Sequence, residues 1–391
     1  AFKTPENAID RDRAADRAHL LALLDHYGAP HPKEAATHYA GDVGQFHLKW
    51  ESYTEFVTFT FFLPVKSGDD FDTPLSPWPE GWLGAAPGSV LTKARIRVEN
   101  RPAIPTLKKH LKAWFVEESL AVSNVLENAL TIAGDFRLDA LGNMRFAVFP
   151  DPETGVRRIG RVVQRLCEIE TYKVMSMLGF ARCAEINDDL GRIDHRLEEL
   201  ADEIRVAPSK STETLDGLLQ VSGELEHLLS RMGYRFGATK AYRAIVEQRV
   251  EALREARFEG MQSFGEFMMR RYDPAMRSVV AAKERLEGMS ERAVRAGDLL
   301  RTRVDVERSA QNQALLASMD RRADLALRLQ QTVEGLSVVA IGYYAVNLAT
   351  YLFYPVAKVV GMGKTTLTSM LTVPTLLLVW LMVRQIKKKM H

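Results

Sequence analysis

The sequence has few cysteines, few prolines after its first 152 residues, and no acidic side chain in its last 57. Two cysteines in 391 residues exclude a disulfide-rich secreted fold, and 25 glycines exclude a collagen-like one. A hydrophobic content of 46% excludes a wholly disordered chain. The formal net charge of +2 gives no indication of nucleic-acid binding, and the length allows two or three domains.

The charge is distributed unevenly along the chain. Residues 1–150 carry a net charge of −3, and residues 151–334 carry −1. Residues 335–391 carry +6, because they hold six basic residues and no Asp or Glu. The excess positive charge therefore belongs entirely to one C-terminal segment.

That segment contains two uncharged runs, Gly335–Ala357 with 23 residues and Thr365–Val383 with 19. A membrane-spanning helix needs about 20 apolar residues and tolerates a proline such as Pro374. Aromatic residues near the ends of the runs favour a membrane hairpin over a hairpin buried in a soluble core. The second run is followed by a basic cluster of Arg384, Lys387, Lys388 and Lys389.

Two spans place both flanks of the hairpin on the same side of the membrane. The loop between the spans holds only Lys358 and Lys364, and the flanks hold more basic residues. The positive-inside rule therefore predicts that the N-terminal domain and the C-terminus are cytoplasmic.

Cys167 and Cys183 lie about 24 Å apart along a predicted helix, too far to form a disulfide with each other, which fits a reducing compartment. Residues 1–19 are charged and lack the apolar segment of a signal peptide. Because the chain begins with Ala1 rather than methionine, we expect that an upstream segment was removed.

The proline distribution divides the soluble part near Pro150–Pro152. Twelve of the 16 prolines lie within residues 1–152, and only Pro208 and Pro274 lie between 153 and 334. We predict an α+β, mostly helical protein with an α/β domain over residues 1–150. A long-helix bundle and stalk over 151–334 and a two-helix transmembrane hairpin over 335–391 complete the predicted architecture.

The first domain is predicted to contain one helix before its first strands. The amphipathic stretch Arg17–Tyr27 predicts a helix that ends at Gly28, and alternation from Phe46 through Phe62 predicts a β-hairpin. Further predicted elements are strands at Ser89–Val98, Asn128–Leu138 and Met144–Phe149, a turn at Gly142–Asn143, a helix at Thr106–Phe115 and a surface loop at Ser67–Gly88.

The second region is predicted to form three long helices, over about 153–205, 212–256 and from 262 onward. Pro208 and Gly260 mark the two turns between them. The third helix is expected to continue directly into the first membrane span. A helix so long and so charged must bury an apolar stripe against the other two helices or against copies of itself.

No catalytic motif is complete in this sequence. The stretch Gly361–Thr366 resembles a phosphate-binding loop, but Lys358 occupies the position of the first required glycine. We find no zinc spacing, nucleophile elbow or dinucleotide fingerprint, so we expect neither an enzyme nor a cofactor.

His19 and His26 would share a helix face. Two interpretations of Glu168 and Glu170 are open: a divalent-cation site, or simple docking of one helix on another. The second is favoured. The sequence does not identify a metal.

The first span continues a heptad pattern that begins in the stalk. Its small and polar members suggest a face that meets protein or water, since lipid offers polar groups no partners. Either several copies line a pore with this face, or it is a tight helix–helix seam; the seam is the commoner outcome. The members are Ala323, Ala326, Gln330, Val333, Ser337, Ala340, Tyr344, Asn347, Tyr351 and Tyr354.

Several runs closely resemble a bacterial family of uncharacterised membrane-anchored proteins, a domain of unknown function. The resemblance covers nearly the whole chain, implies membrane anchoring and supplies no biochemical activity. We expect the membrane to be the bacterial inner membrane. The runs are Thr37–Glu55, Gly160–Met175, Tyr234–Tyr242, Asp298–Asp305 and Asn312–Tyr344.

A looser, architectural similarity is to the CorA-type magnesium channels. That resemblance implies a pentamer whose first span lines a cation pore, with Ser337, Tyr344, Asn347 and Tyr351 inside it. The channel signature Gly-Met-Asn is replaced here by Gly361, Met362 and Gly363, so the cation-binding asparagine is absent. The expected partners are the bilayer and further copies of the chain. The alternative is a non-conducting scaffold that binds an unknown protein through its cytoplasmic domain.

Overall fold

The structure is a computed structural model that describes residues 1–3, 11–64, 71, 77–206, 211–359 and 361–390, with backbone alone at 206, 211, 358 and 386–390. The chain divides into two compact units, Ala1–Gly297 and Asp298–His391. It is 66% helical, with two sheets and six α-helices in the described part. The α+β, mostly helical class is thereby confirmed.

The first sheet and one helix form the N-terminal core. Asp12 caps helix α1 (Arg13–Tyr27) by accepting hydrogen bonds from two backbone amides, and Gly28, with φ of 64°, ends it. Leu20, Leu23 and Leu24 of α1 pack into a core with Leu48 and Trp50 of the sheet. The strand order is β2-β3-β4-β1-β5, with β1 (Phe2–Lys3), β2 (His38–Val43), β3 (Phe46–Ser52), β4 (Val57–Phe62) and β5 (Ser89–Val90).

The predicted helix and hairpin of this core are confirmed. Strands β3 and β4 pair antiparallel, from His47 opposite Phe62 to Ser52 opposite Val57. The predicted strand Ser89–Val98 is wrong as a single element, because it is split between the two sheets at Leu91 and Thr92. Most of the predicted loop Ser67–Gly88 lies outside the described residues.

A second sheet packs against helix α2 (Ile104–Trp114). Leu107, Leu111 and Trp114 of α2 contact Val122 and Phe149 of the sheet in one buried cluster. Strands β6 and β9 run parallel, and the other described pairs are antiparallel. The strand order is β10-β7-β8-β9-β6, with β6 (Lys93–Val98), β7 (Ala121–Val125), β8 (Leu130–Leu138), β9 (Asn143–Pro150) and β10 (Ala256–Arg257).

Three long helices follow, α3 (Val156–Val206), α4 (Ser211–Glu251) and α5 (Phe264–Val359). Each buries an apolar stripe at spacings of three and four, the heptad pattern of helices that supercoil together. In α3 the stripe includes Cys183, Ile186, Leu190, Ile193, Leu197 and Leu200; in α4 Leu218, Val221, Leu225, Leu228 and Met232; in α5 Tyr272, Met276, Val279, the half-buried Ala282, Leu286, Met289 and Ala293.

Ion pairs tie these helices to each other and to the first sheet. Asp194 of α3 accepts hydrogen bonds from Arg285 (2.9 Å) and Arg292 (2.6 Å) of α5. These bonds hold the pKa of Asp194 below its usual value, although partial burial alone would raise it. The buried carboxylate of Glu55 pairs with Arg235 of α4 at 3.0 Å. The soluble part of α5 is therefore held on α3 by charge as well as by apolar contact.

Two helix boundaries differ from the sequence prediction. Helix α4 ends at Glu251 rather than 256, because Leu253 is buried, Arg254 adopts a φ of 49° and β10 pairs with β7. This short strand was missed because two residues carry no readable alternation. The turn at Pro208 lies outside the described residues. Helix α5 begins at Phe264 and continues without a break to Val359, so the predicted continuation into the first span is confirmed.

The second unit comprises the rest of α5 and helix α6 (Lys364–Met390). Every residue of α5 from 308 to 333 is exposed. Beyond that segment α5 and α6 form a hairpin of apolar helices, as the sequence predicted.

Candidate functional site

The two helices of the hairpin are long and apolar enough to cross a membrane. The segments that qualify are Phe264–Ala357, whose most apolar window is 17% buried, and Lys364–Gln385, whose window is 11% buried. A core helix of a soluble protein would be mostly buried. The low burial therefore argues against the alternative of a soluble hairpin core.

The contact between the two helices is made by small and hydroxyl-bearing residues. A Cβ placed on Gly342 would come within 2.9 Å of Leu376 Cδ2, so the two helices approach each other closely there. Thr350 is buried, its hydroxyl donates to the Val346 carbonyl, and Thr368 Oγ1 lies 3.5 Å away. Small residues let membrane helices approach closely and pack without a hydrophobic driving force.

The face predicted to be polar lies elsewhere on the same helix. Residues two positions apart lie about 200° apart around an α-helix, so Tyr344 faces away from Gly342. The side chains of Tyr344 and Tyr351 are 71% and 67% exposed, Ser337 is exposed, and Asn347 is half-buried. Tyr354 is the least exposed of the predicted tyrosines. The seam within the chain was thus missed by sequence reasoning, although Gly342 and Thr350 mark it.

Tyr344, Asn347 and Tyr351 line a shallow groove on this face. The rest of its wall is apolar and consists of Ile341, Ala345 and Leu348. The exposed surface of the groove is almost wholly apolar, so ring and aliphatic carbons rather than the amide and phenol groups form it. Such a surface suits the side chains of another membrane helix.

The loop between the spans is short and turns at a glycine. Gly361 has a φ of 80°, which favours glycine, and the Met362 amide donates to the Ala357 carbonyl. Gly363 precedes the first residue of α6, Lys364, whose ammonium lies 5.1 Å from the centre of the Tyr351 ring. The loop therefore brings a positive charge to the end of the polar face.

The basic residues at the other end of α6 flank an aromatic ring. The guanidinium of Arg384 lies 5.1 Å from the centre of the Trp380 ring. A Trp–Arg pair at a helix end is typical of the membrane–water interface. Lys387, Lys388 and Lys389 belong to α6, but their side chains lie outside the described residues.

The carboxylates considered for a cation are each paired with a basic residue. Glu168 forms a salt bridge with Arg249 of α4, and Glu170 pairs with Lys173 and accepts a hydrogen bond from Thr92 at 3.0 Å. In the described part of the chain no three His, Cys, Asp or Glu residues are placed to hold a metal ion. These carboxylates fit the helix-docking interpretation.

The two histidines of α1 have different surroundings. His19 is buried, its ring stacks on that of Trp82 with 4.2 Å between the ring centres, and burial lowers its pKa, whereas His26 is exposed.

Cys167 and Cys183 are free thiols, and burial raises the pKa of each to about 11. Both thiols are therefore protonated and poorly reactive near neutral pH.

One residue that the sequence did not single out holds the start of α5. Glu255 accepts hydrogen bonds from the Gly265 amide at 2.9 Å and from the Ser123 hydroxyl at 3.2 Å. Ser123 in turn accepts from the Phe264 amide at 2.7 Å. Burial raises the pKa of Glu255, although these bonds oppose the shift. The long helix is thus capped by groups from β7 and the loop before it.

Comparison with known proteins identifies a family for this chain. No curated protein and no solved structure matches the chain, so the similarity to CorA-type channels gains no support. A family described as "protein of unknown function (DUF3422)" matches residues 5–390. The chain therefore belongs to that family.

Proposed function

We propose that this chain is a membrane-anchored protein that assembles with copies of itself through its first span and passes cations along the centre of the assembly. Each part of this proposal is supported by a separate feature of the hairpin. The exposed polar face of the first span carries the proposal as a whole.

Membrane anchoring is supported by the exposed apolar surface of the hairpin. Leu348, Leu352 and Leu378 are each at least 65% exposed, as are many of their neighbours. Leaving such side chains in water costs roughly 1.5–3 kcal/mol each, and a bilayer removes that cost. The uncharged runs have the required length, and the basic flanks favour a cytoplasmic location for both ends.

Self-association is supported by the placement of Tyr344, Asn347 and Tyr351. The hairpin of one chain is closed through Gly342 and Thr350, so α6 does not cover this polar face. Burying an amide or hydroxyl without a hydrogen-bond partner costs about 1–3 kcal/mol by protein measurements. The same face of another copy, or water enclosed by several copies, would provide those partners in the bilayer.

Cation passage is supported by the oxygen atoms on that face. Hydroxyl and amide oxygens of Ser337, Tyr344 and Asn347 would face the common axis of several copies and replace part of a hydration shell. The axis would end at Gly361, Met362 and Gly363. The CorA resemblance implies about five copies in the assembly. This number comes from the resemblance and not from the geometry of the chain.

A non-conducting scaffold is the second candidate, and Lys364 favours it. Copies arranged around an axis would bring a ring of Lys364 ammonium groups to the loop-side mouth, since this residue lies over Tyr351. A positive ring repels cations. In this alternative the polar face is a closed seam, and the soluble unit binds another protein.

Ion flux in liposomes separates the two candidates. The proposal predicts cation flux from reconstituted full-length protein and loss of most of that flux in Asn347→Leu. The matched control is Ser369→Leu, which replaces an exposed polar residue of α6 with the same side chain and should conduct normally. Absence of monovalent and divalent flux in protein that is still oligomeric would establish the scaffold instead.

A further inference from the structure

The segment of α5 before the membrane span is a helix without a partner in the described part of its own chain. Every residue from 308 to 333 is exposed. Seven large apolar side chains in this segment are each at least 56% exposed: Leu315, Leu316, Met319, Leu325, Leu327, Leu329 and Val333. A single helix has little stability in water unless it buries an apolar face, so this surface needs a cover.

The apolar residues recur at heptad spacing. Leu316, Met319, Ala323, Ala326 and Val333 fall at intervals of three and four, with Gln330 completing the series. Leu315, Leu327 and Leu329 widen this stripe on either side, while the charges of Arg321, Asp324 and Arg328 lie on the opposite face. This is the pattern of a coiled-coil helix.

A second copy of the same segment fits this surface better than a different protein does. The stripe is in phase with Ser337, Tyr344 and Asn347 of the span, where a second membrane helix can continue the same contact. Copies inserted in one bilayer with one topology are necessarily parallel. Residues 298–334 contain six acidic and six basic residues, and Asp320 and Arg322 flank the stripe with opposite charge. Identical segments side by side therefore accumulate no net charge.

We propose that residues 316–333 form a parallel coiled coil with the same residues of other copies. This inference rests on the proposed self-association and deepens it, because it identifies the surface outside the membrane through which the copies meet. Ala323 and Ala326 would then lie in the centre of the coil, where their small side chains let the helices approach closely.

Cysteine cross-linking in native membranes tests the coiled coil directly. Disulfide formation requires Cβ atoms about 3.5–4.5 Å apart, which only positions near the centre of the coil approach between copies. On mild oxidation Ala326→Cys should form covalent dimers about tenfold faster than the control Asp324→Cys. Both sites are exposed in the single chain, so neither substitution disturbs its fold. The wild-type protein gives the baseline, since its two cysteines are poorly reactive.

Ala340→Cys separates failure of this inference from failure of the proposed function. Position 340 belongs to the same stripe but lies inside the first span. Cross-linking at 340 without cross-linking at 326 would overturn the coiled coil and leave assembly through the span intact. Equal rates at 326 and 324 would also overturn it, as would a covalent adduct of 326 with a different protein. No cross-linking at either 326 or 340 would overturn self-association itself.

Discussion

Individual residues explain how helices α3 and α4 can lie so close together. A Cβ built on Gly179 would fall 2.2 Å from Thr239 Oγ1, closer than any real contact. Thr239 is buried, and its hydroxyl donates a hydrogen bond to the Ser176 carbonyl at 3.4 Å, so this side chain has little room to move. A glycine is therefore required at this crossing, which no composition or spacing argument could have located.

We predict that Gly179→Ala lowers the free energy of unfolding by roughly 1–3 kcal/mol through overpacking against Thr239. Gly191 of the same helix has no atom within 4 Å of its would-be Cβ. Gly191→Ala should therefore stabilise the protein by up to about 1 kcal/mol through higher helix propensity. Denaturant unfolding in detergent measures both. Equal effects of the two substitutions would contradict the close approach.

Asp194 gives the bundle a pH dependence. Because Arg285 and Arg292 hold its pKa below the unfolded value of 3.8, its contribution to stability is complete above that value and is lost as pH falls through the folded pKa. We expect the thermal midpoint of the wild type to fall more steeply than that of Asp194→Asn as the pH is lowered below about 4. Parallel pH profiles for the two proteins would show that the ion pairs contribute nothing.

At the scale of elements, long helices with caps and periodic stripes were predictable and short strands were not. Helix α1 has a capping aspartate and a terminal glycine, and α3 to α5 each carry a stripe of buried apolar residues at heptad spacing over part of their length. Strands β1, β5 and β10 have two residues each, so they depend on pairing with distant partners. That information is tertiary and leaves no local pattern.

The residues of the predicted polar face lie on α5, on the side away from the contact with α6. The seam with α6 was not predicted, because Gly342 and Thr350 lie among other small and polar residues of the same helix and only the partner helix distinguishes them. Periodicity identifies a face of a helix, whereas its partner is a property of the folded chain.

The start of α5 depends on Glu255, so removing this side chain should loosen the first turn of the helix. Glu255→Ala removes the acceptor of the Gly265 amide and should cost about 1–2 kcal/mol of unfolding free energy, as loss of a helix cap does. Glu266→Ala, an exposed residue in the first turn of α5, is the matched control and should cost less. Hydrogen exchange at residues 264–267 reports the fraying, and unchanged protection would contradict the capping role.

At the scale of the whole molecule, the amino-acid composition conceals a division between a soluble body and an apolar tail. The mean hydropathy of −0.15 averages the charged remainder of the chain with two uncharged runs. We expect that stopping the chain at Glu334 moves the protein from the membrane fraction to the soluble fraction after lysis. A truncated protein that stays in the membrane fraction would show that another part of the chain binds lipid.

The central claim is that copies of this protein meet along one face of α5. The most direct test is the mass of the full-length protein in lipid nanodiscs, measured particle by particle. We predict a single population that contains several copies of the 44.0 kDa chain, and a shift toward one copy in the double variant Tyr344→Leu, Asn347→Leu. Wild-type particles that contain one chain each would contradict the account.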